Sequence, residues 1–164
     1  MDWNEYFFRH VYLAAQKSKD TKTKVGAILV KDNTCISEGY NGICRGVNDY
    51  NYEDGRNERP IKYFFYEHAE RNCLYTCNRH GISTLGATMY IGGMPCADCA
   101  RAIIQCGISK IVLHKQRPKF DHLEKWVEST KYSKIMLDEA NIPIEIYDKQ
   151  LGIEVFIDGK TLLV

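Results

Sequence analysis

The chain has 164 residues, 45% of them apolar and 26% charged, with 22 basic against 21 acidic side chains for a net charge of +1. That length allows one domain with a real core, and the charge balance counts against a surface that grips a polynucleotide by bulk positive charge. No apolar run approaches the ~20 residues that span a bilayer, and the start Met1-Asp2-Trp3-Asn4-Glu5 lacks the blocks of a secretion signal, so the expected compartment is the cytoplasm, that of a host cell if the protein is viral.

Residues 3–16 carry apolar side chains at Trp3, Tyr6, Phe7, Val11, Ala14 and Ala15, close to a helical period. Residues 17–24 are locally basic and read either as a solvated helix end and loop or as a phosphate-facing loop. Residues 25–30 and 35–38 predict two strands joined by the turn Lys31-Asp32-Asn33. Gly39-Tyr40-Asn41-Gly42 is expected to break that pattern. Residues 43–67 form a long insert rich in Asn, Asp, Gly and Tyr. Its Tyr50, Tyr52, Tyr63 and Tyr66, with Phe64 and Phe65, predict a structured loop that covers a site or an interface.

Residues 68–80 predict a helix stopped by Gly81. Residues 87–91 predict a strand, and residues 96–106 a helix entered at Pro95 and left at Gly107. A strand over 110–114, a helix over 121–140 and a strand over 142–147 follow. Residues 153–164 place Asp158-Gly159 between two apolar runs, which predicts a terminal hairpin. The alternation of helix and strand gives a layered α/β fold, read as a single domain over 1–164.

Two short motifs carry the chemistry. The first is His68-Ala69-Glu70 and the second Pro95-Cys96-Ala97-Asp98-Cys99. By residue frequencies the first pattern arises by chance in about 0.2 of chains this long and the second in about 0.002, so the second bears the weight. Seven cysteines, an odd number, argue against a disulfide framework and leave thiols as metal ligands or small core residues. His68, Cys96 and Cys99 offer zinc three donors and leave a fourth position open, the mark of a catalytic site. A helix N-terminus favours thiolate over thiol. Glu70 stands two residues from His68, close enough to carry protons without ligating. The competing reading is a closed structural site or buried thiols. Cys73 and Cys77 are the obvious extra donors, but at i and i+4 they suit the packed face of one helix.

At these residues the chain resembles the cytidine and deoxycytidylate deaminase superfamily, whose signature is His-x-Glu followed by Pro-Cys-x-x-Cys. The resemblance runs from about residue 20 to residue 112. Besides the two motifs it is carried by Lys19-Asp20 through Val25-Gly26-Ala27, by Gly39-Tyr40-Asn41-Gly42 and by Ile103-Ile104-Gln105-Cys106-Gly107-Ile108. The Gly-Tyr-Asn-Gly element looks most like the deoxycytidylate deaminases. The resemblance implies a three-layer α/β/α fold with a central mixed sheet of about five strands. It implies one catalytic zinc per chain held by His68, Cys96 and Cys99, with Glu70 as the proton carrier. It implies substrate contacts from the Ala69 backbone, from Asn41 and from Gly26 and Ala27 along the ring pocket; the plainer reading of Asn41 is a turn residue beside Gly42. Lys22, Lys24, Arg45, Arg56, Arg59, Lys115 and Arg117 are candidates for a phosphate, with Lys24 and Arg117 preferred for their places beside predicted strands.

The reaction implied is the hydrolysis of deoxycytidylate (dCMP) to deoxyuridylate and ammonia, which feeds thymidylate synthesis. The implied partners are a cytosine nucleotide, regulatory dCTP and dTTP, and copies of the same chain in a hexamer. Two other readings stand beside it. An editing deaminase acting on transfer RNA or single-stranded DNA meets the objection of near-zero net charge. An inactive zinc-stabilised regulatory module has no use for Glu70.

Overall fold

The computed structural model of the chain describes residues 1–49, 53–115 and 124–164. Helix α1 spans Trp3–Ala15 and is capped by the Asp2 carboxylate, which accepts the Glu5 amide. Strands β1 (Gly26–Lys31) and β2 (Thr34–Tyr40) form an antiparallel pair. The turn between them holds Asp32 and Asn33 at φ of 50° and 56°, the left-handed geometry that matches strand twist. Short strands β3 (Gly42–Ile43) and β4 (Tyr66–Glu67) pair at the base of the insert, and α2 (Lys62–Phe65) lies between them.

Then follow α3 (Ala69–His80), β5 (Thr88–Ile91), α4 (Ala97–Gln105), β6 (Lys110–His114), α5 (Glu124–Glu139) and β7 (Ile144–Tyr147). A hairpin of β8 (Glu154–Ile157) and β9 (Lys160–Leu163) ends the chain, turning through Asp158 and Gly159 at positive φ. The central sheet has five strands in the order β2-β1-β5-β6-β7. It is mixed: β1 pairs antiparallel with both neighbours, and β5, β6 and β7 run parallel.

The three inner strands β1, β5 and β6 are buried on both faces, and side-chain alternation sorts the core. Ala27, Leu29, Met89, Ile91, Ile111 and Leu113 face α3, α4 and α5. Ile28, Val30, Tyr90 and Val112 face α1 and the terminal hairpin. These strands therefore read as continuous apolar runs rather than alternating ones. The three-layer expectation holds, and the hairpin shares the second layer with α1.

One local expectation is corrected. Gly39 and Tyr40 do not break the strand but continue β2. Gly39 is there because α3 presses on it: a Cβ at Gly39 would lie 2.4 Å from both the Ala69 oxygen and the Cys73 nitrogen. Gly26 does the same on the opposite face, where a Cβ would lie 2.0 Å from the Val11 oxygen. Both glycines serve close helix–strand packing.

Candidate active site

The two motifs become two helix starts. His68 is the N-cap of α3 and Cys96 the N-cap of α4, both with extended backbone. Glu70 and Cys99 lie within the first turns that follow. The close fit of α3 on Gly39 and the packing of α3 beside α4 bring these starts together. His68 Nδ1 lies 3.5 Å from Cys96 Sγ and 3.5 Å from Cys99 Sγ. The three ligand atoms fall within 4.8 Å of one another, and among the described residues this is the one such cluster.

The donor set fits zinc. One imidazole nitrogen and two sulfurs match its preference, and three donors leave one tetrahedral position free. Cys73 and Cys77 stand apart from this cluster, fully buried in the core, where burial pushes both thiols upward. They are small core residues, as their spacing implied.

The electrostatics suit a cation. Cys96 is pushed down to about 4, first by the hydrogen bond with Cys99 and then, against burial, by His68. Cys99 is pushed up by the same contact and by burial. Burial opposes charge on His68, yet Cys96 and Glu70 outweigh it and raise its pKa. Burial raises the Glu70 carboxyl, against the pull of His68.

Several neighbours were not legible in the motifs. Arg71 donates to Cys99 Sγ at 3.8 Å and from Nε to Glu67 Oε1 at 2.6 Å. Glu67 in turn accepts the His68 amide at 3.0 Å. The i, i+4 spacing of Glu67 and Arg71 was the available signal for that pair. The Trp126 ring lies 5.6 Å from the His68 ring, centroid to centroid, at 32°. Nothing local in the chain announces that contact.

The site opens into a cavity of about 740 Å³. Its wall includes His68, Ala69, Glu70 and Cys96, together with Val25, Asn41, Ile91 and Trp126. The insert contributes Arg59, Lys62, Tyr63, Tyr66 and Glu67, so part of it walls the site. Val25 reaches the cavity, whereas Gly26 and Ala27 are not among its lining residues: Gly26 meets α1 and Ala27 is buried in the core. Asn41 lines the cavity but is already committed. Its Nδ2 donates to Asp20 Oδ2 at 3.1 Å and to the Thr23 carbonyl at 2.9 Å, and its Oδ1 accepts the Val25 amide at 2.8 Å. That leaves one lone pair of Oδ1 for a ligand.

The basic segment 17–24 sends Asp20 and Thr23, not its lysines, to this cavity. Lys24 lines a separate cavity of about 160 Å³ against the terminal hairpin. Arg117 lies outside the described residues. The cations that do face the large cavity are Arg59, Lys62 and Lys115. Each has an acidic partner: Asp158 at 3.4 Å, Asp20 at 2.6 Å and Asp148 at 2.5 Å.

No helix among the described residues is long and apolar enough to cross a membrane.

Comparison with known proteins agrees with this geometry. Residues 1–115 match the family described as the cytidine and deoxycytidylate deaminase zinc-binding region. The chain is 36% identical over 142 residues to an uncharacterized deaminase in the luxG 3' region of Aliivibrio fischeri, covering 87% of this chain and 91% of that one. It is 35% identical over 116 residues to human deoxycytidylate deaminase, covering 68% of this chain and 64% of the human one. Its fold superposes on the dCMP deaminase of cyanophage S-TIM5, solved in complex with dCMP and dUMP, with a TM-score of 0.68, 26% identity and coverage of 87% and 95%.

Proposed function

The chain belongs to the cytidine and deoxycytidylate deaminase family, a family of hydrolytic enzymes, and on that premise we propose that it converts dCMP and water to dUMP and ammonia. One observation carries the reading: three convergent N and S donors meet beside the buried carboxylate of Glu70, and His68, Cys96 and Glu70 line a nucleotide-sized cavity. We read residues 1–164 as one catalytic unit.

His68, Cys96 and Cys99 would hold the zinc, which when bound acts as a Lewis acid and brings a water toward ionisation near pH ~7. The chain's own residues do the rest. Glu70 takes the proton that the attacking water gives up and delivers it to N3 of the ring. It then carries the remaining proton of the new C4 hydroxyl to the exocyclic N4, which leaves as ammonia while the oxygen stays on C4 as the carbonyl. Ala69 borders the ring at the start of α3, where its backbone groups can meet the base. Val25, Ile91 and Trp126 keep the ring's surroundings apolar, which strengthens the charge interactions around Glu70.

The substrate phosphate must be met by a cation that can change partners. The Lys62–Asp20 pair is sealed, with side chains 6% and 4% exposed. The Arg59–Asp158 and Lys115–Asp148 pairs stand in solvent, at 39% and 29% and at 60% and 46%. Exposed pairs are worth little and exchange readily. We therefore assign phosphate contact to Arg59 or Lys115, in place of Lys24. Assembly into a hexamer and control by dCTP and dTTP belong to the same reading, to be checked by sedimentation and by kinetics with and without each triphosphate.

The deciding experiment is ammonia release from dCMP, dCTP, cytidylate, deoxycytidine, guanine and an adenosine-containing RNA hairpin. Preferred turnover of dCMP is expected. Turnover of the hairpin alone would replace this reading with an editing activity. A zinc-loaded chain that deaminates none of them would be a regulatory module.

A further inference from the structure

Both donor helices lack the usual hydrogen bond to their own N-cap side chain. The N-cap residues are His68 and Cys96, the two donors themselves, and neither side chain caps its own helix. An N-cap side chain ordinarily accepts one of the first amide N–H groups, which otherwise lack partners. At α3 the chain's own neighbour helps, since Glu67 accepts the His68 amide. At α4 the acceptor comes from a different helix: Ser129 Oγ on α5 accepts the Ala97 amide at 2.9 Å.

The same face of α5 reaches the other donor helix. Trp126 precedes Ser129 by three residues, which places both on one side of the helix. Its ring packs on the imidazole of His68. One face of α5 therefore holds the start of α4 by a hydrogen bond and the His68 ring by contact.

We propose that Ser129 and Trp126 are positioning residues of the metal centre, with α5 supplying the acceptor for the first amide of α4, the N–H that directly follows the donor Cys96. This rests on the metal reading above. The Ala97 amide belongs to the peptide that directly follows Cys96, so holding it restrains the backbone that carries the Cys96 side chain. Trp126 restricts the ring plane of His68, and with it the aim of Nδ1. Groups that orient donors in this way commonly change metal affinity about 10- to 100-fold when removed.

The test is cobalt(II) and zinc binding by the full chain, followed by thiolate-to-cobalt absorption and by competition with a colorimetric chelator. Ser129→Ala is expected to bind about tenfold more weakly with the same absorption bands, and Ser129→Thr to restore the affinity. Trp126→Leu should weaken binding about threefold relative to Trp126→Phe, which keeps a ring. Lys134→Ala lies on the exposed side of α5, where Lys134 pairs with Asp138, and should leave affinity unchanged. Wild-type affinity in Ser129→Ala would overturn the proposal, as would an equal loss in Lys134→Ala. If Ser129→Ala does not fold by circular dichroism, the two Trp126 variants decide, and equal affinity between them overturns it. A wild-type chain with no thiolate-to-cobalt band would remove the metal reading itself, and this inference with it.

Discussion

His68, Cys96 and Cys99 converge because each stands at or within one turn of a helix start, whereas Arg59, Lys62 and Lys115 reach the same cavity from the insert, a one-turn helix and the end of a strand. The first group is organised by short-range geometry, since a Cys-x-x-Cys at a helix start aims both sulfurs at one point. The second group is organised by partners far along the chain, because each cation is placed by an aspartate from another segment. The contrast separates two kinds of function. Chemistry common to a family can be written in a few adjacent residues, while the handling of the rest of a substrate depends on how distant segments meet.

The largest expected effect lies on the local side. Cys99→Ala should lose both zinc and activity, and metal content near one per chain in that variant would refute the donor set. Glu70→Gln should keep its zinc and lose about 10²- to 10⁴-fold in turnover, the usual worth of a positioned proton carrier. Together these variants divide the corner into a part that holds an ion and a part that moves protons.

The distant side predicts losses of stability instead. Asp20 accepts from Lys62, from Asn41 and from the amides of Lys22 and Thr23. Asp20→Ala leaves the Lys62 ammonium buried without its counter-ion, which costs about 3–5 kcal/mol. Lys62→Met should cost less, because the Asp20 carboxylate keeps three other donors. Urea denaturation of the two variants checks the order, and a larger loss in Lys62→Met would reverse the account of this corner.

Gly39→Ala tests whether strand packing sets the metal corner. The methyl group would collide with α3 backbone, which cannot yield as a side chain does. Overpacking of this kind costs about 1–3 kcal/mol, and the shift of α3 should also weaken zinc binding. Unchanged affinity and stability would show that α3 can slide on β2 without moving His68.

The smallest effect concerns pH. The Lys149 carbonyl can only accept, so the Nε2 of His114 donates to it at 2.8 Å, and Nδ1 accepts the Tyr12 hydroxyl at 2.6 Å. This arrangement needs the neutral ring, and burial holds its pKa below the ordinary value. The unfolded chain takes up the proton first, near the ordinary histidine value of ~6.5. Stability is therefore full above that pH and falls as pH drops from there toward the lower folded value. His114→Gln should flatten this part of the profile of melting temperature against pH. An unaltered slope would assign the acid sensitivity to other groups.

Much of the fold was readable because apolar runs and turn residues act locally. The strand over Lys110–His114 matches its expected bounds, and the Asp158-Gly159 turn is where its φ requirement placed it. The role of Gly39 was not readable as written. A glycine in a polar run signals a turn, yet here it marks the spot where a helix lies on a strand. The phosphate candidates could not be ranked along the chain for a similar reason. Lys24 neighbours β1 in sequence, but its side of the chain faces the hairpin cavity.

The candidate donors His68, Cys96 and Cys99, the neighbouring Glu70 and the layered class follow from the order of residues, the first four through spacing along a helical turn and the last through the alternation of helix and strand. The company these residues keep does not. That Ser129 caps α4, that Trp126 lies on His68 and that Lys62 is sealed against Asp20 depend on surfaces brought together by folding. Only packing of a whole chain sets which distant groups share a low-dielectric space, and no short stretch of sequence encodes that choice.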